Sequence, residues 1–392
     1  MQKTELSFDE ISSSHLYFLR LIGAIPLDGK PLDYYVTKLL HFYFHVISLL
    51  YNGMWTGYGI RMTARKQFEV DFLSEFMVVQ SVYFRFLVIS LSREKLTKLV
   101  DLCRKLWTFV LEGESQVVRS FERKAYYFRT FMLVNSLAVV ISFIITAFFI
   151  KIPGPSVNDT DRRVLPFRFF VEVHEGPMFI LSWLLQCVVT CSIAFEIASI
   201  ETVGLYLMMM SCGYLRLIQN RLLNMKSRAQ SSLKEKISED DRGVLRCAQF
   251  HQQIMLFCEG IENITDKLFF FAVFTTIYNM SITGLKILEN DENIVKFVMI
   301  FLLNLFQFFT VQWGPEYLLI ESEEIGNAAY FASLQQSSNV MKNNKMLILM
   351  MMRAQRPFQL TAGGYINLSI ETFGNMVRSA FSFFALLRNM KS

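Results

Sequence analysis

Charge is what this sequence has least of. Asp, Glu, Lys and Arg make up 19% of its 392 residues, against 53% hydrophobic and 15% aromatic residues, including 38 Phe. Soluble domains carry about a quarter charged residues, and their helices are apolar on one face only. Here the mean hydropathy is positive, and several runs reach the length of about 20 residues that crosses a bilayer. A soluble fold is excluded, and a multi-pass membrane protein embedded in a lipid bilayer is expected.

Other absences narrow the function. No His-Glu-x-x-His, Gly-x-Ser-x-Gly or phosphate-binding glycine loop is present, so an enzyme is not expected, and neither is a cofactor. The net charge is +5, but no basic block is interleaved with stacking aromatics, which argues against nucleic acid. The N-terminal stretch MQKTELSFDEISSSHLYFLRLIGAIPL lacks the basic start and unbroken apolar core of a cleaved leader. None of the six cysteines falls in a segment expected outside the cell. Cys187 and Cys191 lie one helical turn apart and read as packing residues rather than metal ligands. His41 and His45 share a helix face without a third ligand nearby, so packing or interfacial hydrogen bonding is expected instead of a metal. No internal repeat of the kind that marks many transporters is evident.

Seven crossings are legible: Leu39–Tyr58, Phe72–Leu91, Phe131–Ile152, Pro177 to near Cys212, Leu268–Leu288, Ile294 to near Leu319, and Tyr365–Leu387. Of the 39 Lys and Arg, 25 fall in the N-terminal segment and the loops after the second, fourth and sixth spans. The other loops and the tail, with the span ends that border them, hold 11, and Lys38, Arg85 and Arg378 sit at or inside spans. The positive-inside rule puts the N-terminus in the cytosol and the C-terminus outside. In that topology Asn158, in Asn158-Asp159-Thr160, is the one acceptor triplet in an external polar loop and a candidate glycosylation site. The Pro- and charge-rich loop that holds it, Pro153–Gly176, is suited to cover a pocket mouth.

Ser92–Arg129 and Gly213–Lys267 carry helical stripes, such as Leu96, Leu99, Val100, Cys103 and Leu106. Such extensions need packing partners: a bundle below the membrane shared between subunits, or the membrane surface itself. Residues 1–38 form a cytosolic N-terminal segment, 39–319 the first six spans with their extensions, 320–363 a cytosolic anchor, and 364–392 the last span and tail. The apolar run MLILMMM enters Pro357 and Gly363-Gly364, which break the chain before that span.

The last span is apolar yet charged. At about 100° per residue, Asn367, Glu371, Asn375, Arg378 and Ser382 fall within an arc of about 80°. Mid-membrane charges are kept from lipid, so the stripe either lines an aqueous path or binds a neighbouring helix. Apolar FFALL follows it, as in a pore closed by an apolar ring. A path lined by one helix per subunit requires an oligomer. The outer halves of spans two, three, four and six offer a ligand site of aromatic walls and isolated polar groups: Phe76, Tyr83, Ser142, Ile145, Phe149, Phe179, Trp183, Asn304 and Phe308.

The C-terminal residues carry a resemblance. SEEIGNAAYFASL, the MLILMMMRAQRPFQLTAGG run, the Thr372-Phe373 pair and VRSAFSFFALL are similar to the signature of the insect odorant receptor family. The chain departs from it at Phe383, where the family usually has Tyr, and in the residue after the Ala328-Ala329-Tyr330 element. The resemblance implies a seven-helix protein of inverted topology in the plasma membrane of olfactory neuron dendrites. It implies an odorant-gated channel for monovalent and divalent cations, opened by a small volatile molecule in a pocket among spans two, three, four and six. It also implies assembly with odorant co-receptor subunits as a heterotetramer. The co-receptor's long insertion between the fourth and fifth spans is absent, so the chain resembles an odour-tuning subunit. The family's gate maps onto Leu386 and Met390. A G-protein-coupled receptor disagrees with the loop charge, and a gustatory-type channel disagrees with the C-terminal signature.

Overall fold

The computed structural model describes residues 7–26, 31–65, 70–111, 113–149, 151–152, 162–163, 165, 176–224, 233–288, 294–335 and 341–391. These residues are overwhelmingly helical. In chain order the helices are α1 (Phe8–Leu21), α2 (Pro31–Ala64), α3 (Val70–Leu91), α4 (Arg93–Trp107) and α5 (Ser115–Phe149). They continue with α6 (Gly176–Leu223), α7 (Leu233–Leu288), α8 (Ile294–Gln335), α9 (Met341–Ala354) and α10 (Ile370–Lys391). Two short hairpins complete the description: β1 (Lys151–Ile152) with β2 (Arg162–Arg163), and β3 (Thr361–Ala362) with β4 (Ile366–Asn367).

Every crossing read from the sequence lies wholly or mostly on a helix, but most of those helices run well past the apolar stretch. α6 has 48 residues and α7 has 56. At about 1.5 Å per residue they are roughly 70–85 Å long, more than twice a hydrocarbon core. Parts of α5, α6, α7 and α8 are long and apolar enough to cross a membrane, and the pair α3–α4, bent by 67°, makes a fifth if counted as one span. α2 and α10, also read as crossings, are more polar and do not reach that threshold among the described residues. Asn158 and most of the loop 153–176 lie outside the described residues.

The helix extensions form the main core. From Thr202 to Leu222 almost every residue of α6 is buried whatever face it occupies, the pattern of a helix enclosed on all sides. Tyr206, Tyr214, Phe250 and Phe257 are among the largest fully buried side chains. Tyr214 donates its hydroxyl to the Cys103 carbonyl at 3.0 Å, and Phe109 stacks on Phe250 at 4.9 Å. The stripe Leu96, Leu99, Val100, Cys103 and Leu106 is buried in this same core. These extensions therefore pack on one another within one subunit. By contrast, the first half of α6 exposes Met178, Ile180, Leu181, Leu184, Leu185 and Val188, as a lipid-facing segment does.

Charged groups fasten the bundle. Glu321 on α8, itself buried, pairs with Arg216 and accepts from Gln219 Nε2 at 3.0 Å. Arg221 pairs with Glu114 and reaches the Phe109 carbonyl. α1 opens with a capping box in which Glu10 N–H donates to Ser7 Oγ and Ser7 N–H donates to Glu10 Oε2, satisfying two amides that the helix leaves open. The helix then docks through His15, which stacks on Tyr206 at 4.4 Å and lies 3.5 Å from Glu122.

Burial outweighs the Glu122 hydrogen bond at His15 and lowers its pKa to about 4; burial, with Arg353 adding to it, does the same to His251. Both imidazoles are neutral at pH 7. The unfolded chain takes up a proton below about pH 6.5 while the folded one does not, so stability is complete above that pH and falls as pH drops toward 4. At pH 5 each buried histidine costs about 2 kcal/mol. The melting temperature of detergent-purified protein is expected to be lower at pH 5 than at pH 7.5. His15→Phe, which keeps the ring on Tyr206, narrows that gap; an unchanged gap excludes His15 as a source of the loss.

Candidate functional site: an apolar cavity and a polar helix face

α2, α3, α5, α6, α7 and α8 line a cavity of about 210 Å³. Its walls are mostly aliphatic, with Val78, Val79 and Val82 from α3, Val139 and Val140 from α5, and Ile193, Ala194 and Ile197 from α6. Tyr51 and Trp55 close it from α2. Polar groups are few, and several already serve their own helices. Thr190 Oγ1 donates to the Gln186 carbonyl at 2.7 Å, Thr283 Oγ1 to the Asn279 carbonyl at 2.7 Å, and Asn304 Nδ2 to the Ile300 carbonyl at 2.9 Å. An apolar chamber with sparse polar groups suits a small hydrophobic ligand.

Of the ligand residues expected from the sequence, only Asn304 lines this cavity. Phe76 instead packs on Phe72, with ring centroids 5.6 Å apart, and Phe308 is buried against Phe373 on α10 at 5.4 Å. Phe179 is buried, and Tyr83 and Trp183 are half-buried, all away from the cavity. Ile145 is exposed, as is Ser142, which donates to its own helix at the Val139 carbonyl. The side chain of Phe149 lies outside the described residues. Large aromatics such as Phe76 and Phe308 pack against other aromatic side chains, and smaller aliphatic side chains on the same helices line the space.

Two polar cavity-wall residues, Arg85 and Gln307, join a set of buried charged groups. Arg85 on α3 lines the cavity, is buried, and forms an ion pair with Glu201 on α6. Gln307 on α8 also lines it and donates to Glu201 Oε1 at 2.6 Å. Ser48 on α2 donates to the neighbouring buried Glu196 at 2.8 Å. Glu196 and Glu201 are thus paired rather than solvated. A charge within an otherwise apolar span, at Arg85, was the available sequence clue. His41 and His45 meet at Ser90, with Nε2–Oγ distances of 3.5 and 3.2 Å. No group of ligands that could hold a metal occurs among the described residues.

The second feature is α10. The helix begins at Ile370, so Asn367 belongs to β4 and not to the helical stripe. Phe373, Met376, Val377 and Ala380 pack inward against the subunit, and Ser281 on α7 donates to the Ala380 carbonyl at 3.2 Å. Glu371, Asn375, Arg378, Ser382 and Leu386 are exposed on the opposite side. Among the described residues, neither Glu371 nor Arg378 forms an ion pair, with the other or with any third group. The side chain of Met390 lies outside the described residues.

Polar contacts fix where α10 starts. Ser369 N–H donates to Gln312 Oε1 at 2.9 Å, Ile370 N–H to Glu316 at 3.2 Å, and Thr372 N–H to Ser369 Oγ at 3.0 Å, an N-cap. Just before it, Gly363 and Gly364 have φ of 66° and 72°, the left-handed region open to glycine, and turn the β3–β4 hairpin. A Cβ on Gly363 would lie 2.6 Å from the Phe270 ring. α7 grips this hairpin: Glu262 accepts from Thr361 N–H at 3.2 Å, and Asp266 accepts from Gly364 N–H at 2.7 Å. Burial raises the pKa of the Glu262 carboxyl despite the Thr361 hydrogen bonds.

The sequence profile described as 7tm Odorant receptor matches residues 70–381. The chain belongs to this odorant receptor family. It is 23% identical over 236 residues to Odorant receptor 10 of Aedes albopictus, covering 59% of this chain and 62% of that protein. It is 24% identical to Odorant receptor 83a of Drosophila melanogaster over 151 residues, covering 37% of this chain and 33% of that one. These matches thus span a third to about three fifths of the curated relatives. In fold it resembles the insect olfactory receptor OR5 from Machilis hrabei in complex with eugenol, with a TM-score of 0.74, 10% identity and 97% of each chain covered. As a member of this family the chain is a multi-pass membrane protein.

Asp266→Ala strips the acceptor from Gly364 and one acceptor from Thr361, at a cost of about 1–3 kcal/mol. A lower melting temperature is expected, with a smaller loss for Asp266→Asn, which keeps an oxygen acceptor. Equal losses for the two variants would exclude the hydrogen bonds as the cause.

Proposed function

We propose that the chain is the odour-tuning subunit of an odorant-gated, non-selective cation channel. A small volatile molecule occupies the 210 Å³ cavity and shifts the subunit toward an open state. The face of α10 bearing Glu371, Asn375, Arg378 and Ser382 lines the permeation path, with Asn367 near its start and Leu386 and Met390 at its apolar end. Such a path requires other subunits around a central axis, here odorant co-receptor subunits in a heterotetramer. The extension bundle supplies the surface on which they meet. Seven crossings, with the N-terminus cytosolic, the C-terminus outside and Asn158 glycosylated, complete the reading.

One observation carries it: the polar stripe of α10 faces away from its own subunit while the apolar side packs inward. Charged groups in a membrane-spanning helix avoid lipid, so an exposed stripe calls for water or a partner protein. A ligand in the cavity has a mechanical route to that helix, because α8 lines the cavity through Asn304 and Gln307 and carries Phe308, which packs on Phe373 of α10. The Machilis hrabei receptor of the same fold is in complex with eugenol, a small aromatic volatile.

Co-expression with an odorant co-receptor is expected to give volatile-evoked cation current without GTP, and a C-terminal epitope is expected to be labelled on intact cells. Current that requires GTP would overturn the channel reading, and an epitope reached only after permeabilisation would overturn the topology. Glu371→Gln is expected to change single-channel conductance or cation selectivity while the ranking of ligands stays the same. Unchanged conductance with reduced surface yield would instead make Glu371 a subunit contact.

A further inference from the structure

The cavity is not uniformly greasy. Arg85 reaches its wall from α3 and is 5% exposed. Its Nε donates to the Ser81 carbonyl at 3.2 Å, and its Nη1 pairs with Glu201. A guanidinium has more N–H donors than these two contacts occupy. Beside it on the same wall stands Gln307, held by its Nε2 donation to the same Glu201. The Arg85–Glu201–Gln307 set therefore ties α3, α6 and α8 together at the cavity. It presents fixed donor capacity to whatever sits there.

The surrounding charges decide what that capacity can recognise. Glu201 already pairs with the guanidinium, and Glu196 is close enough to interact with it electrostatically. Two carboxyl groups thus attend one cation. A ligand carboxylate would compete with Glu201 for the guanidinium and meet its negative charge. A ligand amine would be turned away by Arg85 itself. A neutral oxygen acceptor meets neither obstacle and can take a charge-assisted hydrogen bond in a chamber of low polarity, where such bonds are strongest.

Resting on the reading of this cavity as the ligand site, we propose that Arg85, positioned by Glu201, is a specificity-determining residue that selects neutral volatiles bearing a carbonyl oxygen: ketones, aldehydes and esters. The alkyl or aryl remainder lies against the valine and isoleucine walls, and the oxygen points to Arg85.

Trp55 lines the cavity, so binding to purified full-length protein can be followed by tryptophan fluorescence without any channel opening. Three probes separate the possibilities: heptan-2-one, 2-methylhept-1-ene, in which a methylene replaces the carbonyl oxygen, and heptanoate. The ketone is expected to bind about tenfold tighter or more than the alkene, the worth of one hydrogen bond to a charged donor, and heptanoate more weakly than the ketone. Equal affinity of ketone and alkene overturns the proposal, as does preference for heptanoate. Removing Arg85 alone strands a buried carboxylate, so the variant of choice is Arg85→Met with Glu201→Gln, which removes both charges and keeps an acceptor for Gln307. It is expected to bind the alkene as the wild type does and to lose the ketone preference; a preference that survives also overturns the proposal. If none of the three probes binds, the cavity itself is not the ligand site, whereas binding with the predicted preference but no current in cells leaves this inference standing and removes the channel reading.

Discussion

The enclosure of the second half of α6 is the constraint on which the rest of the subunit depends. Between Thr202 and Leu222 this helix has almost no free face, so α4, α5, α7 and α8 must each surround it. Only helices far longer than a bilayer can do that and still cross the membrane. The length of α7 and the early start of α5 follow from this requirement. Once these long helices converge at one end, their other halves are spaced by what remains between them, and the cavity lies in that space.

The same helices connect the cavity to α10. α8 contributes Asn304 and Gln307 to the cavity wall, then Phe308 to the contact with Phe373, then Gln312 and Glu316 to the amides that start α10. α7 contributes Asn279 and Thr283 to the cavity and, further back, Glu262 and Asp266 to the hairpin that precedes α10. Cavity wall and helix start are therefore built from the same two helices. The double-glycine turn at Gly363 and Gly364 permits the sharp reversal there, and the carboxyls of α7 hold it in one position.

Buried charge is concentrated where the elements meet. Arg85 and Glu201 sit among apolar spans, while Glu321 and Arg216 sit in the extension bundle. A charged group removed from water needs a partner, and each of these partners lies on a different helix. Each pair thus specifies which helices are neighbours, in a protein whose apolar faces are otherwise much alike.

The long helices, the helical stripe in Ser92–Arg129, the break before α10 and the polar stripe of α10 were all legible in the sequence, because each rests on local patterns of period and polarity. The start of α10 was misread by several residues: Asn367 fits the angular stripe but lies in a strand, because the acceptors Gln312 and Glu316 that fix the helix start come from a distant segment. Residues such as Phe76 and Phe308, expected from the sequence around a ligand, pack against other aromatic side chains instead of lining the cavity.

By itself the sequence determined that this protein is a many-helix membrane protein with one amphipathic span near its end, since hydrophobic run length and periodicity are properties of the chain alone. Which face of each helix meets another, and hence that Arg85, Glu201 and Gln307 converge on an apolar chamber, was decided only by the tertiary structure. The physical reason is that in a helix apolar all round, composition does not distinguish the side that packs from the side that leaves a space. Only the shapes and charges of the neighbouring helices do.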